Sequence, residues 1–260
     1  MLAQQRRARI VELIQRNGAV KVVDLVAELD VSDMTVRRDL DYLARDGVVT
    51  KVHGGATSPG LSSTDEPGFD AKSVRQPTEK GAIARAAAAL VQPGQAIGLS
   101  AGTTTWALAQ ELRAISRITV VTNSIRVAEV FYDGGSRDQT VVLTGGIRTP
   151  SDALVGPVTV TSLTALNLDA VFLGVHGMDL NRGFTTPNLM EAETNRAFVH
   201  AARELIVVAD HAKWGVVGIS TFAELSQADV LVTDDGMTEA DLTTLRDHVR
   251  SLVVASQDGA

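Results

Sequence analysis

The sequence predicts an α/β protein in two parts, a small helix-turn-helix domain followed by a doubly wound domain on a mostly parallel sheet. Three observations carry this. Up to residue 57 apolar residues recur at helical spacing. Beyond residue 77 apolar β-rich runs (AIGLS, TVVTN, TVVLTGG, AVFLGV, LIVVAD, VLVTDD, LVVAS) alternate with helical stretches such as GAIARAAAALV, as in a sheet covered on both faces. Between them SPGLSSTDEPGFDAKSVRQP clusters proline, glycine and serine and loses periodicity. The expected organisation is a domain over 1–57, a linker over 58–77 and a second domain over 78–260.

Composition narrows the classes. The chain of 260 residues, 45% apolar, can hold one small and one ordinary domain. It has no cysteine, which removes disulfide scaffolds, thiolate zinc sites and cysteine nucleophiles. The net charge of −7 is unevenly spread: residues 1–57 hold nine Lys/Arg against eight Asp/Glu, net +1, and the remainder is net −8. Contact with nucleic acid therefore falls to the first segment. The N-terminal stretch mixes charge throughout and no run approaches the roughly 18 apolar residues of a membrane span, so a cytoplasmic protein without membrane partners is expected.

In the first segment Ile10, Leu13 and Ile14 share a helical face over about residues 4–17, stopped at Asn17-Gly18. Val22, Leu25, Val26 and Leu29 give a second short helix, and after a turn at Asp30-Val31, Ser32 is a natural N-cap for a third. There Val36, Leu40 and Leu43 form the buried stripe. Met34, Arg38, Asp41 and Arg45 lie opposite, with Thr35 and Arg37 on the flanks. These are the dimensions of a helix-turn-helix whose second helix enters the major groove. Ser32 and Thr35 would reach phosphate or base edges, and Arg37 and Arg38 phosphate and guanine. VVTKVHGGA then reads as two short strands closing a wing, with Lys51, His53 and Gly54 beside the adjoining DNA backbone. The plainer alternative for Arg37 and Arg38 is a solvated helix face.

In open parallel sheets ligands bind beyond the carboxyl ends of strands. Those positions hold Gly102, Thr103, Thr104 and Thr105 after the first strand, Asn123 and Ser124 after the second, and Gly145, Gly146 and Arg148 after the third. His176 and Gly177 follow the fourth, and Asp210 to Lys213 the fifth. Glycine, hydroxyls at a helix start and converging cations suit a small polyhydroxylated anion, with the phosphate on Gly102 to Thr105 and Lys213 while Asn123, Glu191 and His176 read hydroxyls. The plainer alternatives are ordinary N-capping by the threonines, a loop ion pair between Asp210 and Lys213, and a first-turn acid at Glu191. GLSAG also satisfies the G-x-S-x-G nucleophile elbow, with His53-Gly54-Gly55 as an oxyanion loop and His211 or His248 as base. The surrounding pattern favours Ser100 as a loop residue and no catalytic set.

VSDMTVRRDLDYLARDGVVTKVHGGA resembles the winged-helix signature of the DeoR family of bacterial sugar-metabolism repressors, with Lys51 where many members have arginine. KGAIARAAAALVQPGQAIGLSAGTTT, VVTNS, LTGG, DAVFLGVHGM and ADHAKWG resemble the family's effector domain, whose fold is shared with ribose-5-phosphate isomerase. The resemblance spans roughly residues 2–57 and 73–235. It departs at Ser100, where many members have aspartate, and at Asn195, where lysine is frequent. It implies a DNA-binding transcriptional regulator, a repressor of carbohydrate-metabolism genes controlled by a phosphorylated sugar. The implied partners are a double-stranded operator, that effector and further copies of the chain, with no cofactor and no metal. The alternative is a sugar-phosphate isomerase with an appended DNA-binding domain. Against it, Val175-His176-Gly177-Met178 stands where such enzymes carry an Asp-Gly-Ala-Asp turn, although Asp179 lies close by.

Overall fold

The computed structural model describes residues 2–17, 19–46, 48–52, 54–57 and 68–256. The chain divides into two compact units, Met1–Asp65 and Glu66–Ala260.

The first unit runs α1 (Ala3–Asn17), β1 (Ala19–Lys21), α2 (Val22–Leu29), α3 (Asp33–Arg45), β2 (Thr50–Val52) and β3 (Gly55–Thr57). The helical stripes meet in one core of Ile10, Ile14, Leu25, Leu29, Val36 and Leu40. Asp30 makes the turn before α3 in the left-handed region at φ 50°, which aspartate tolerates better than most residues. Ser32 then caps α3 by accepting from the Thr35 amide. The wing has three strands, antiparallel in the order β1-β3-β2, where two were expected. Ala19 to Lys21 is too short to show a strand period, and it pairs because Val20 is buried in the core. Gly54, at φ +76°, turns the hairpin. Gly55 lies against β1 so closely that a Cβ would stand 2.1 Å from the Val20 carbonyl oxygen.

The second unit begins with α4 (Phe69–Ser73) and α5 (Pro77–Ala88), then β4 (Ala96–Leu99), α6 (Thr103–Leu112), β5 (Thr119–Thr122), α7 (Ile125–Gly134) and β6 (Thr140–Leu143). A hairpin, β7 (Ile147–Arg148) with β8 (Leu154–Val155), leads to α8 (Pro157–Thr164) and β9 (Leu168–Gly174). The chain continues through β10 (Gly177–Asp179), β11 (Gly183–Thr186), α9 (Leu189–Ala201), β12 (Ala202–Val208), β13 (Ser220–Ala223), β14 (Val230–Asp234), α10 (Glu239–His248) and β15 (Leu252–Ala255).

Seven strands make one parallel sheet in the order β15-β14-β12-β9-β4-β5-β6. Alternation along the strands sends Ile97, Leu99, Ala170 and Phe172 to the face covered by α5, α6 and α7. Val171, Leu173, Leu205 and Val207 go to the face covered by α8, α9 and α10. The sheet is thus doubly wound, and its winding reverses between β4 and β9, the point where such folds open a crevice. A small antiparallel sheet, β10-β11-β13, stands beside it. No helix among the described residues is long and apolar enough to cross a membrane.

Residues 69–73, inside the stretch read as linker over 58–77, form a helix. Phe69 is buried and meets Trp106 of α6 edge-on, ring centroids 6.0 Å apart. Five residues are too few to display a helical stripe, so the composition of their surroundings concealed them.

Candidate functional site

In the first unit α3 presents one face to solvent. Arg38 is exposed there and has no hydrogen-bond or ion-pair partner among the described residues. Arg37 is exposed but held by Asp33 one turn back, Nε to Oδ1 at 2.5 Å. Lys51 of β2 reaches across to Asp41, 2.6 Å, and that hydrogen bond draws the Asp41 carboxyl below its usual range. The Ser32 and Thr35 hydroxyls bond each other at 2.9 Å at the N-terminus of α3. His53 lies outside the described residues. Sequence reasoning missed Asp39: it is buried beneath α3 and accepts from Arg6 and Arg7 of α1, at 2.5 and 2.9 Å, fixing α3 to α1.

In the second unit a cleft opens at the β4–β9 switch point. Of the residues expected there, Gly102, Thr103, Thr104, Asn123, His176, Glu191 and Lys213 line it. The chain leaves β4 through Ser100 and starts α6 at Gly102, which has no side chain to cap the helix. Its first amides are therefore not satisfied by a capping side chain, and the threonines do not act as caps. Lys213 sits on a short turn after β12 with no ion-pair partner among the described residues. Asp210 does not pair with it; buried, it caps that turn through the Ala212 amide at 3.1 Å.

Four expected residues stand elsewhere. Thr105 is fully buried and its hydroxyl donates back to the Gly102 carbonyl at 3.1 Å. Gly145 and Gly146 lie against α8, where a Cβ on Gly146 would meet the Thr159 hydroxyl. Arg148 is bound to Asp152, which also accepts from Arg126; burial pushes the Asp152 carboxyl up, but the two guanidinium groups hold it below its usual value. Asn123 lines the cleft in another role. Its amide oxygen accepts from the Ala101 amide and its nitrogen donates to the Leu154 carbonyl, both at 2.9 Å, so it shapes the wall and its amide is committed to backbone.

The structure adds Lys72, Ser151, Thr186 and Asn195 to the lining. Glu191, at the start of α9, is fixed by hydroxyls from separate loops: Ser151 and Thr149 donate to Oε1 and Thr186 to Oε2. Asn195, 8% exposed and one turn along, has no hydrogen-bond partner among the described residues. It therefore brings an amide into the cleft with its bonding capacity unspent. Only Asn195 was signalled by the sequence, as a departure from pattern. Ser151 and Thr186 sit in the β7–β8 loop and a strand of the small sheet, neither of which the parallel-sheet pattern foretells.

The catalytic alternatives lose their groups. The Ser100 oxygen is buried and accepts from the Gly174 amide at 3.1 Å, stitching β4 to β9. Gly98 before it makes room for β9 and α9, since a Cβ there would stand 2.9 Å from Val171 and 3.1 Å from Phe198. His211 is bound to the buried Asp234 at 2.6 Å, which raises the imidazole's pKa. Burial pushes Asp234 up, yet the His211 bond leaves it below its usual range. Asp179 accepts from the Asn181 and Arg182 amides at 2.9 and 3.0 Å, committed to the β10–β11 turn.

The family profile described as the DeoR-like helix-turn-helix domain matches residues 6–60, and that of the DeoR C terminal sensor domain matches 75–235. The HTH-type transcriptional regulator YgbI of Escherichia coli strain K12 is 36% identical over 99% of this chain and 100% of its own. The glycerol-3-phosphate regulon repressor of the same organism is 32% identical over 95% and 97%. Among solved structures, ribose 5-phosphate isomerase A of Methanocaldococcus jannaschii aligns over 52% of this chain and 53% of its own at 18% identity, with a TM-score of 0.39, too slight to bear on activity.

Proposed function

The chain belongs to the DeoR family and is a DNA-binding transcriptional repressor; from that premise we propose that its cleft binds a phosphorylated sugar or polyol, whose presence changes the protein's hold on its operator. The observation that carries the reading is the meeting of opposite chemistries in one crevice. The uncapped start of α6, the unpaired Lys213, the hydroxyl-fixed Glu191 and the unpartnered Asn195 all line it. A helix start with a cation suits a phosphate. A carboxylate and a free amide suit hydroxyl groups, which both donate and accept. One relative is named as the repressor of a glycerol-3-phosphate regulon, a set of genes named for a phosphorylated polyol, which supports the same ligand class.

On the DNA side Arg38 reads base edges and Ser32, Thr35, Arg37, Lys51 and Gly54 hold the backbone, His53 being assigned on sequence alone. The domain roles follow: the N-terminal unit reads DNA and the C-terminal unit senses the ligand. Self-association belongs to the same reading, since paired half-sites call for paired readers. The edge strand β6 offers a surface for it, with exposed Val142 and Leu143 and no charge along its length. The cytoplasm is the compartment in which operator and phosphorylated metabolite meet.

The test is calorimetric titration of the full-length protein with a panel of sugar and polyol phosphates and their unphosphorylated parents. At least one phosphorylated compound should bind and its parent should not. Lys213→Ala should weaken that binding by about 10- to 150-fold, the range for a hydrogen bond to a charged group. Equal binding of parent and phosphate, or normal binding by the Lys213 variant, overturns the reading.

A further inference from the structure

Lys72 enters the cleft from an unexpected direction. It is carried by α4, the first element of its unit after residues 58–67, which join it along the chain to the DNA-reading unit. A five-residue helix has no stability of its own, so α4 keeps its place only through what it touches.

Three of those contacts lead back to the cleft. Phe69 packs on Trp106, the residue directly after the threonines that open α6. Asp70 stands 3.9 Å from Arg126, which also reaches Asp152, the neighbour of Ser151 in the loop that steadies Glu191. The strongest tether is Lys80 of α5. Only 6% exposed, its ammonium donates to the Lys72 carbonyl at 2.6 Å and the Arg75 carbonyl at 2.5 Å, holding the C-terminal end of α4. A buried ammonium is costly to maintain. Here it is spent on the backbone of the residue that enters the cleft.

We propose that Lys72 is a ligand-binding residue of the cleft and that α4 carries the occupancy of the cleft to the chain segment joining the two units. The proposal rests on the preceding reading that the cleft takes an anion. An anionic group against Lys72 adds a contact that exists only in the occupied state. A ligand shifts an equilibrium only by such differential contacts. By reciprocity, whatever loosens α4 from the cleft must weaken the influence of the ligand on the joining segment.

The experiment measures hydrogen–deuterium exchange of the full-length protein over residues 68–76, with and without inorganic phosphate as probe, alongside phosphate affinity by calorimetry. In the wild type, saturating phosphate should slow exchange over 68–76 several-fold. Lys72→Gln should bind phosphate about 10-fold more weakly and lose the slowing. Phe69→Ala, which leaves every lining side chain in place but loosens α4, should lose most of the slowing and, by the same reciprocity, bind phosphate more weakly than the wild type, though by no more than Lys72→Gln does. Failure of the wild type to bind phosphate or any phosphorylated compound of the panel would overturn the anion reading itself. Normal binding by the wild type with equal affinity in Lys72→Gln, or with unchanged exchange over 68–76, overturns this inference and leaves that reading standing.

Discussion

The two units build their sites by opposite means. The face proposed for DNA comes from one continuous stretch, Ser32 to Lys51, whose side chains pair within that stretch, Ser32 with Thr35, Arg37 with Asp33 and Lys51 with Asp41, while Arg38 has no partner among the described residues. The cleft is gathered from the ends of β4, β5, β9 and β12 together with α4, the β7–β8 loop, β11 and α9. There a side chain's role depends on what its neighbours have already claimed: Asn123 is committed to two backbone groups, while Asn195 is left open. A contiguous site confines each change to a local pair, whereas a gathered site propagates it through partners shared between distant elements.

The sharpest way to break the contrast is to attack what fixes the contiguous site from below. Asp39→Ala leaves the largely buried Arg6 without its carboxylate, and removing one partner of a buried pair costs about 3–5 kcal/mol. Thermal unfolding resolved by hydrogen exchange should show the first unit melting early and the second unchanged. Uniform loss across both would deny their independence.

Next in size is Arg38→Ala. If α3 works residue by residue, this change should weaken binding to an operator selected from random DNA by about 1–3 kcal/mol, without altering melting. Fluorescence anisotropy at fixed salt decides, and wild-type affinity would remove Arg38 from the reading set.

Ser100→Ala tests the gathered site at its seam. It removes one hydrogen bond, from the Gly174 amide, at a cost of about 0.5–1.5 kcal/mol in the second unit's stability. Ligand response should persist, and ester substrates should be turned over by neither protein.

The smallest effect concerns pH. Burial depresses the Lys80 pKa from 10.5 to about 8, with Asp210 opposing and Lys213 and Lys72 adding to the fall. Below about 8 the charged Lys80 favours an anion nearby; above it that contribution is lost, so phosphate affinity should fall a few-fold on raising the pH past that point. Stability moves the other way. The unfolded chain keeps this proton up to 10.5, so the Lys80 contribution to folding improves between about 8 and 10.5. Lys80→Met should flatten both profiles, and a fall in affinity that persists in it would assign the effect elsewhere.

This difference in construction also decides what the sequence discloses. The helix-turn-helix and the parallel strands were legible because each is written in consecutive residues: Val36, Leu40 and Leu43 mark a helix face, and AVFLGV marks a strand buried on both sides. The crevice position followed from topology, and seven expected residues line it. Thr105, Gly145, Gly146 and Arg148 were misplaced because nearness to a strand end does not state direction; a helix turns Thr105 inward and Asp152 holds Arg148. Lys72 was hidden by the polar company of α4. Its one signal was Phe69, a lone large apolar residue in a stretch otherwise resembling a linker.

The ion pairs on the face proposed for DNA carry a consequence for how such a protein searches DNA. Arg37 and Lys51 already have carboxylate partners, Asp33 and Asp41. Transferring either cation to a phosphate strands an aspartate beside the polyanion, so the exchange displaces fewer condensed counterions than two free cations would. The dependence of log K on log salt should accordingly be shallower than about −0.9 for each phosphate touched. A reader built this way holds weakly to arbitrary sequence and leaves it readily, and its residence at a site depends on base edges more than on ionic strength.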